Sequence, residues 1–236
     1  MKDLNWLLKT PIAHRGLHDN SHSENSLSAY SRAIDGGYNI EIDVRLSKDN
    51  DLIVFHDDSL LRLCGVDKKV SELSLLELKA FNLPCGEKIP TLDEVLKLVD
   101  SRTGLLVELK SNGDGVLEQL VYDRLKDYNG DYAVQSFHPF SMRWFKTHAV
   151  RVPRGLLATY GKMPVKRYQA FILRHLLLMP YCKPDFLSYD ENFIARQSIK
   201  RKKLPKLAWT IRSQERQNEV LGDDLADNVI FENYEP

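Results

Sequence analysis

The sequence predicts an α/β fold, a (β/α)8 TIM barrel, and three observations carry that expectation. Eight short apolar segments recur along the chain: "PIAHRG", "NIEIDV", "GLLVELK", "YAVQSF", "RGLLAT", "DFLSYD", "KLAWTI" and "NVIFEN". Between most of them lie stretches with helical apolar spacing, such as "SLSAYSRAIDGG", "TLDEVLKLV" and "GVLEQLVYDRLKDY". No Gly-x-Gly-x-x-Gly follows the first strand, which counts against the competing arrangement, an open doubly wound sheet.

The first strand ends on His14, Arg15 and Gly16, and the glycine is a position where backbone can approach a ligand closely. In the helix that follows, Ser26 is a candidate N-cap and Gly36-Gly37 a candidate stop. In the second strand Ile40, Ile42 and Val44 alternate with Glu41 and Asp43, so the apolar residues face the helices and the acids face inward. "RLSKDND" then supplies turn residues and "LIVFHD" returns with strand composition. A turn centred near Asp49-Asn50 is too short for a crossover helix, so a β-hairpin extension is expected. In that register His56 lies opposite Asp43 and shares its face. Residues 59–90 do not fit the βα repeat and read as a small insertion beside the barrel mouth.

Further along, Glu108 alternates with outward Val107 and Leu109, and Lys110 lies two residues beyond it in the same space. Residues 166–180, "KRYQAFILRHLLLMP", read as an ordinary barrel helix with its apolar face inward. Their mixture of basic and bulky apolar side chains also suits an interfacial helix making weak membrane-surface contact. No low-complexity linker or solenoid repeat divides the 236 residues, so a single barrel domain is expected.

Composition narrows the function classes. Lys plus Arg and Asp plus Glu both number 33, so no net field recruits nucleic acid or a membrane, and a charged partner must meet a local cluster. Cys64, Cys85 and Cys182 lack metal-ligand spacing, and the odd count argues against a disulfide framework. That usage suits a reducing cytosol, and the N-terminus lacks the apolar run of a signal peptide, so a cytoplasmic protein is expected.

Acids inside an apolar strand need compensation. Glu41 and Asp43 repel one another unless one is protonated or a cation sits between them. With Glu108 they offer three oxygen-bearing side chains at barrel strand ends, where barrel active sites lie. That set suits one hard divalent cation, Mg²⁺ or Ca²⁺. Ion pairs with Arg or Lys across the barrel are the plainer alternative. His14 and His56 flank the acids, and two imidazoles beside a bound metal can divide the proton work of hydrolysis. Arg15 adds a permanent cation, while Lys110 fits either neutralisation of the acids or contact with an anionic ligand. His18 and His22, in the loop after the first strand, read as solvent-exposed bystanders. Trp209 and Phe137, near strand ends, fit an apolar wall around a substrate or simple core packing.

"AHRG", the "EN" of Glu24-Asn25, "IEIDV", "VFHD", "TLDEVL", "VELK", "SF" and "AWTI" occur in that order. This ordered set resembles the glycerophosphodiester phosphodiesterase family over essentially the whole chain. The resemblance implies a phospholipase-C-like phosphodiesterase barrel with a small insertion, and hydrolysis of a small-molecule glycerophosphodiester to glycerol 3-phosphate and an alcohol. It also implies His14 and His56 as the acid/base pair, Glu41, Asp43 and Glu108 as ligands of the divalent ion, and Arg15 and Lys110 on the phosphate. Rival expectations are a lysophospholipase D-type enzyme acting on lysophospholipids and a non-catalytic barrel binding a phosphorylated polyol. Three positions depart from the family pattern. Ser23 stands where a proline usually precedes Glu-Asn, Ile211-Arg212 follow Trp209-Thr210 in place of a small residue and Asn, and "IFENYEP" replaces a terminal Thr-Asp. The last two bear on substrate choice rather than on the chemistry.

Overall fold

Alternation in the second strand sets the architecture. β2 (Asn39–Leu46) turns Ile40, Ile42 and Val44 outward to the helices and Glu41 and Asp43 into the barrel. The structure, a computed structural model, describes residues 2–161 and 166–236. Before β2 come α1 (Asn5–Lys9), β1 (Ile12–Ala13) and α2 (Leu27–Asp35); after it comes β3 (Leu52–Val54). Residues 59–90 hold α3 (Leu61–Cys64), a 3₁₀ turn (Val70–Glu72) and α4 (Leu75–Leu78). The chain continues through α5 (Leu92–Val99), β4 (Leu105–Leu109), α6 (Val116–Leu125), β5 (Tyr132–Ser136) and α7 (Pro139–His148). Then follow β6 (Arg154–Ala158), α8 (Arg167–Arg174), α9 (Met179–Cys182) and β7 (Phe186–Asp190). α10 (Gln197–Lys200), β8 (Lys206–Ile211), α11 (Gln214–Gly222) and β9 (Asn228–Phe231) complete it.

Eight parallel strands close in the order β1, β2, β4, β5, β6, β7, β8, β9, with β9 pairing back onto β1. β3 runs antiparallel to the outer end of β2 and is not a stave. The eight segments expected as barrel strands are these eight. Helix ends obey the local signals: the Ser26 hydroxyl accepts from Ala29 N–H, and Thr91 and Glu94 form a reciprocal cap on α5.

Two apolar layers flank the barrel wall. Val107, Leu109, Val134 and their neighbours pack under the helices, while Leu106, Ala133, Phe186 and Ile230 fill the interior below the mouth. α1 inserts Leu7 into that interior layer, so the end opposite the mouth is plugged. Asn39 and Asn228 fasten the plug by donating to backbone carbonyls of Trp6 and Leu7 at 2.9 and 2.8 Å. A third cluster, Ile53, Phe55, Leu60, Val70, Leu73 and Leu78, joins the hairpin to residues 59–90.

Two expectations need correction. β2 and β3 pair Val44 with Val54 and Leu46 with Leu52, and Phe55 N–H donates to the Asp43 carbonyl. His56 is therefore one residue out of the expected register and not opposite Asp43. Asn50 takes a left-handed φ of 66°, which centres the turn on Asp49 rather than between Asp49 and Asn50. Nor is 166–180 one helix with its apolar face inward. α8 ends at Arg174 and buries Ala170, while Tyr168 and Phe171 stand in solvent.

Candidate active site

The carboxylates meet because of strand register. Asp43 on β2 pairs with Glu108 on β4, so the two project side by side, with Glu41 one inward step below. One oxygen from each of the three lies within 4.8 Å of the others. All three residues are buried. Lys110, just past β4, reaches back into the cluster. Its ammonium contacts Asp43 at 2.9 Å and also bonds Glu108. Burial alone would discharge this lysine, but Asp43 and Glu108 outweigh it and hold the ammonium charged.

Arg15 and Gly16 both adopt left-handed φ, 56° and 84°. This turn aims the Arg15 N–H at Glu41, 3.1 Å away, and its guanidinium at Asp43, 3.3 Å, and Glu24, 2.7 Å. A Cβ on Gly16 would lie 2.9 Å from the Tyr30 ring and 3.0 Å from Ala29, so the role of this glycine is close packing of the turn on α2. Asn25 donates to Asp43 at 2.9 Å and receives the Tyr30 hydroxyl at 2.8 Å.

The acids therefore differ in how readily they ionise. Burial opposes ionisation of Asp43, yet Lys110 and Arg15 together hold it well below the usual carboxylate range. Burial, with Asp43 and Glu108 nearby, drives Glu41 well above that range, and one of its oxygens has no hydrogen-bond partner among the described residues. A hard divalent ion fits this set: three converging carboxylates, one with an orphaned buried oxygen, offer the ligands such ions take.

Each histidine of the pair carries its own carboxylate. His14 donates through Nδ1 to Glu232, 2.7 Å, and His56 through Nδ1 to Asp57, 2.7 Å. Those bonds fix the tautomer and leave each Nε2 unprotonated in the neutral ring. Burial lowers both imidazoles, His56 to about 4, so both are neutral near pH 7. His56 reaches the site because the chain leaves the ladder after Val54, and Arg45 then holds the His56 carbonyl with two donors at 2.9 and 2.7 Å.

Sequence reasoning missed the residues behind this pair. Glu232 follows β9 in the tail where the family pattern is broken. Arg62, on α3 of the insertion, grips Glu24 with both terminal nitrogens at 2.7 Å and Asp57 through Nε at 2.6 Å. Glu24 is Arg15's partner and Asp57 is His56's, so one guanidinium spans both halves of the site. No local signal marks such a residue, because the partner that makes it a clamp, Glu24, is distant in sequence. His18 and His22 are not exposed bystanders either. His22 bonds Asp19 at 2.9 Å, and His18 is half-buried with Nε2 lacking a partner, since the turn after β1 folds back against the mouth.

His14, Arg15, Glu41, His56, Glu108, Lys110, Phe137 and Trp209 line one cavity of about 220 Å³. Asp43 sits just behind its wall, bonded to Arg15 and Lys110. Phe137 and Trp209 meet edge to face at 5.6 Å and both line the cavity, while Trp209 also packs against the interior layer below the mouth. Arg212 lines the same space and lies 3.4 Å from Glu232.

Comparison with known proteins agrees with this geometry. The "Glycerophosphoryl diester phosphodiesterase family" matches residues 14–232, from one member of the His14–Glu232 pair to the other. A glycerophosphodiester phosphodiesterase of Caldanaerobacter subterraneus subsp. tengcongensis is 35% identical over 164 residues, 64% of this chain and 67% of that protein. A human lysophospholipase D is 30% identical over 139 residues, 53% of this chain and 43% of that protein. The solved structure of an Oleispira antarctica phosphodiesterase in complex with the product sn-glycerol-3-phosphate superposes with a TM-score of 0.80 at 26% identity, over 97% of this chain and 94% of that one. The barrel, its acid cluster and a family match spanning nearly every residue lead to one conclusion: the chain belongs to the glycerophosphoryl diester phosphodiesterase family.

Proposed function

We propose that this enzyme hydrolyses glycerophosphodiesters to glycerol 3-phosphate and an alcohol with the help of one divalent cation, Mg²⁺ or Ca²⁺. The observation that carries the reading is the meeting of two carboxylate-oriented histidines, two buried acids and two cations around one small cavity, with the third acid, Asp43, just behind its wall. A volume of about 220 Å³ is below the usual range for drug-sized ligands and suits a polyol phosphate with only the near end of its alcohol portion inside.

Glu41, Asp43 and Glu108 would hold the ion, which when bound supplies Lewis-acid stabilisation of a phosphoryl oxygen. Arg15 and Lys110 bind the phosphate and stabilise the charge that builds on its oxygens. One histidine accepts, through Nε2, the proton of the attacking hydroxyl, and the other, in the imidazolium form that its carboxylate and the bound phosphate anion favour, gives its Nε2 proton to the departing alcohol. Glu232 and Asp57 keep each ring in the tautomer that makes this exchange available and stabilise the imidazolium form. A barrel that only binds a phosphorylated polyol has no need of two rings poised in this way. Trp209 and Phe137 flank the alcohol, and Arg212, where the family pattern has a neutral residue, favours an anionic group there. Lysophospholipids remain a second substrate class, supported by the apolar wall and by the likeness to the human lysophospholipase D.

The test is release of glycerol 3-phosphate from glycerophosphocholine by the purified chain, with Mg²⁺ or Ca²⁺ and with EDTA. Turnover should vanish with chelator and fall about a hundredfold or more in His14→Ala and His56→Ala. Undiminished turnover in EDTA would defeat the metal assignment, and full activity in either variant would defeat that histidine's role.

A further inference from the structure

Net neutrality hides a division. Residues 132–214 carry sixteen Lys and Arg against three Asp and Glu, while the rest of the chain carries seventeen against thirty. No acid occurs between Asp131 and Asp185. The basic stretch builds β5, β6, β7 and β8, adjacent staves, with α7 to α10 outside them. One half of the barrel wall is thus strongly basic and the other strongly acidic.

The basic half also exposes bulky apolar side chains. Tyr168 is 61% exposed, Phe171 57%, Leu177 53%, Phe140 49% and Tyr181 41%. Tyr168 and Phe171 are three apart on α8 and share a face. Phe140 and Tyr181 meet edge to face at 5.7 Å, and the Arg143 guanidinium lies 4.7 Å over the Tyr181 ring. Lys146 donates to the Tyr181 carbonyl at 3.0 Å. Aromatic and aliphatic residues ringed by Lys and Arg, with no acid among them, have the chemistry of a headgroup boundary: the rings enter the acyl edge and the cations meet anionic lipid. Single-stranded nucleic acid also takes basic and aromatic residues. It follows a groove, however, whereas Tyr168 and Phe171 project from a convex helix.

We propose that the face of α7 to α9 docks the protein reversibly on an anionic lipid bilayer. Arg174 donates to the Gly161 carbonyl at 2.8 Å, three residues beyond the end of β6, which ties α8 to the mouth side of the barrel. Docking there brings the mouth close to the lipid surface.

The experiment is co-sedimentation of the full chain with vesicles of phosphatidylcholine alone and of phosphatidylcholine with phosphatidylglycerol, at low and high salt. Sedimentation with the anionic vesicles at low salt, its loss at high salt, and none with the neutral vesicles are expected. A Phe171→Ser, Leu177→Ser double variant should bind about tenfold more weakly. It should hydrolyse soluble glycerophosphocholine at the wild-type rate, which reports an intact fold and separates this proposal from the one on catalysis. Lys166→Glu with Arg167→Glu should weaken binding similarly. No sedimentation with anionic vesicles at low salt overturns the proposal. Equal binding by the double variant, or binding of single-stranded RNA that outlasts the apolar substitutions, overturns it as well.

Discussion

Arg62 touches no cavity atom, yet its three nitrogens hold the carboxylates that steady Arg15 and His56. Arg62→Ala should lower kcat about tenfold or more while far-UV circular dichroism stays unchanged, the range found when groups behind a catalytic centre are removed. Lysine cannot reproduce the fork, so Arg62→Lys should recover little of the loss. Unaltered kcat in the alanine variant would show that the clamp is ornamental. Glu232 carries a second prediction. Burial pushes its carboxyl up, but the His14 bond and the Arg212 charge outweigh burial and hold it at about 2, below its ordinary 4.5. A depressed carboxylate contributes stability that is complete above about pH 4.5 and is lost as pH falls toward 2. The urea midpoint of wild type should therefore exceed that of Glu232→Gln near neutrality, and the gap should close across that window. A gap that persists at pH 2 would refute the assignment. The three acids were legible because strand alternation fixes which way a side chain points, and the two histidines because each closely follows the end of a strand. Arg62 and Glu232 were not, because Arg62 grips Glu24 and Glu232 holds His14, both far along the chain, and Asp57 was missed although it adjoins His56.

At the scale of elements, composition and turn residues disclosed all eight staves and the hairpin, but not the hairpin's register. One residue's difference hung on Asn50 taking a left-handed φ, a choice that the neighbouring polar residues leave open. His56 still reaches the mouth, held through its carbonyl by Arg45 rather than by ladder pairing. α8 misled in the other direction, because apolar spacing reports amphipathicity and not which medium receives the apolar side. α1 is the element whose packing is most easily tested. Leu7 is fully buried in the lower barrel, and Leu7→Ala should cost about 2–5 kcal/mol by leaving a cavity there. Chemical denaturation measures that cost, and below the transition kcat should be unchanged because the plug lies opposite the mouth.

For the whole molecule, stability and ion binding are linked. An ion held by the folded acid cluster and not by the unfolded chain raises Tm as its concentration rises. Mg²⁺ or Ca²⁺ should raise the wild-type Tm, and EDTA should reverse the gain. Glu41→Gln should respond weakly or not at all, since it removes the proposed ligand whose oxygen lacks a partner among the described residues. Calorimetry showing the same rise in both proteins would place the ion elsewhere. Closure of the eight staves was readable from sequence rhythm. The basic and acidic halves were concealed by a balanced total, because a sum carries no position.

The small cluster under the hairpin has a practical consequence. His56 and Arg62 ride on residues packed around Phe55, Leu60 and Leu73, whereas His14 rides on the closed wall. Gentle warming that loosens this satellite would separate the two imidazoles before the staves come apart. Heat inactivation should then precede melting, and hydrolysis should return promptly on cooling.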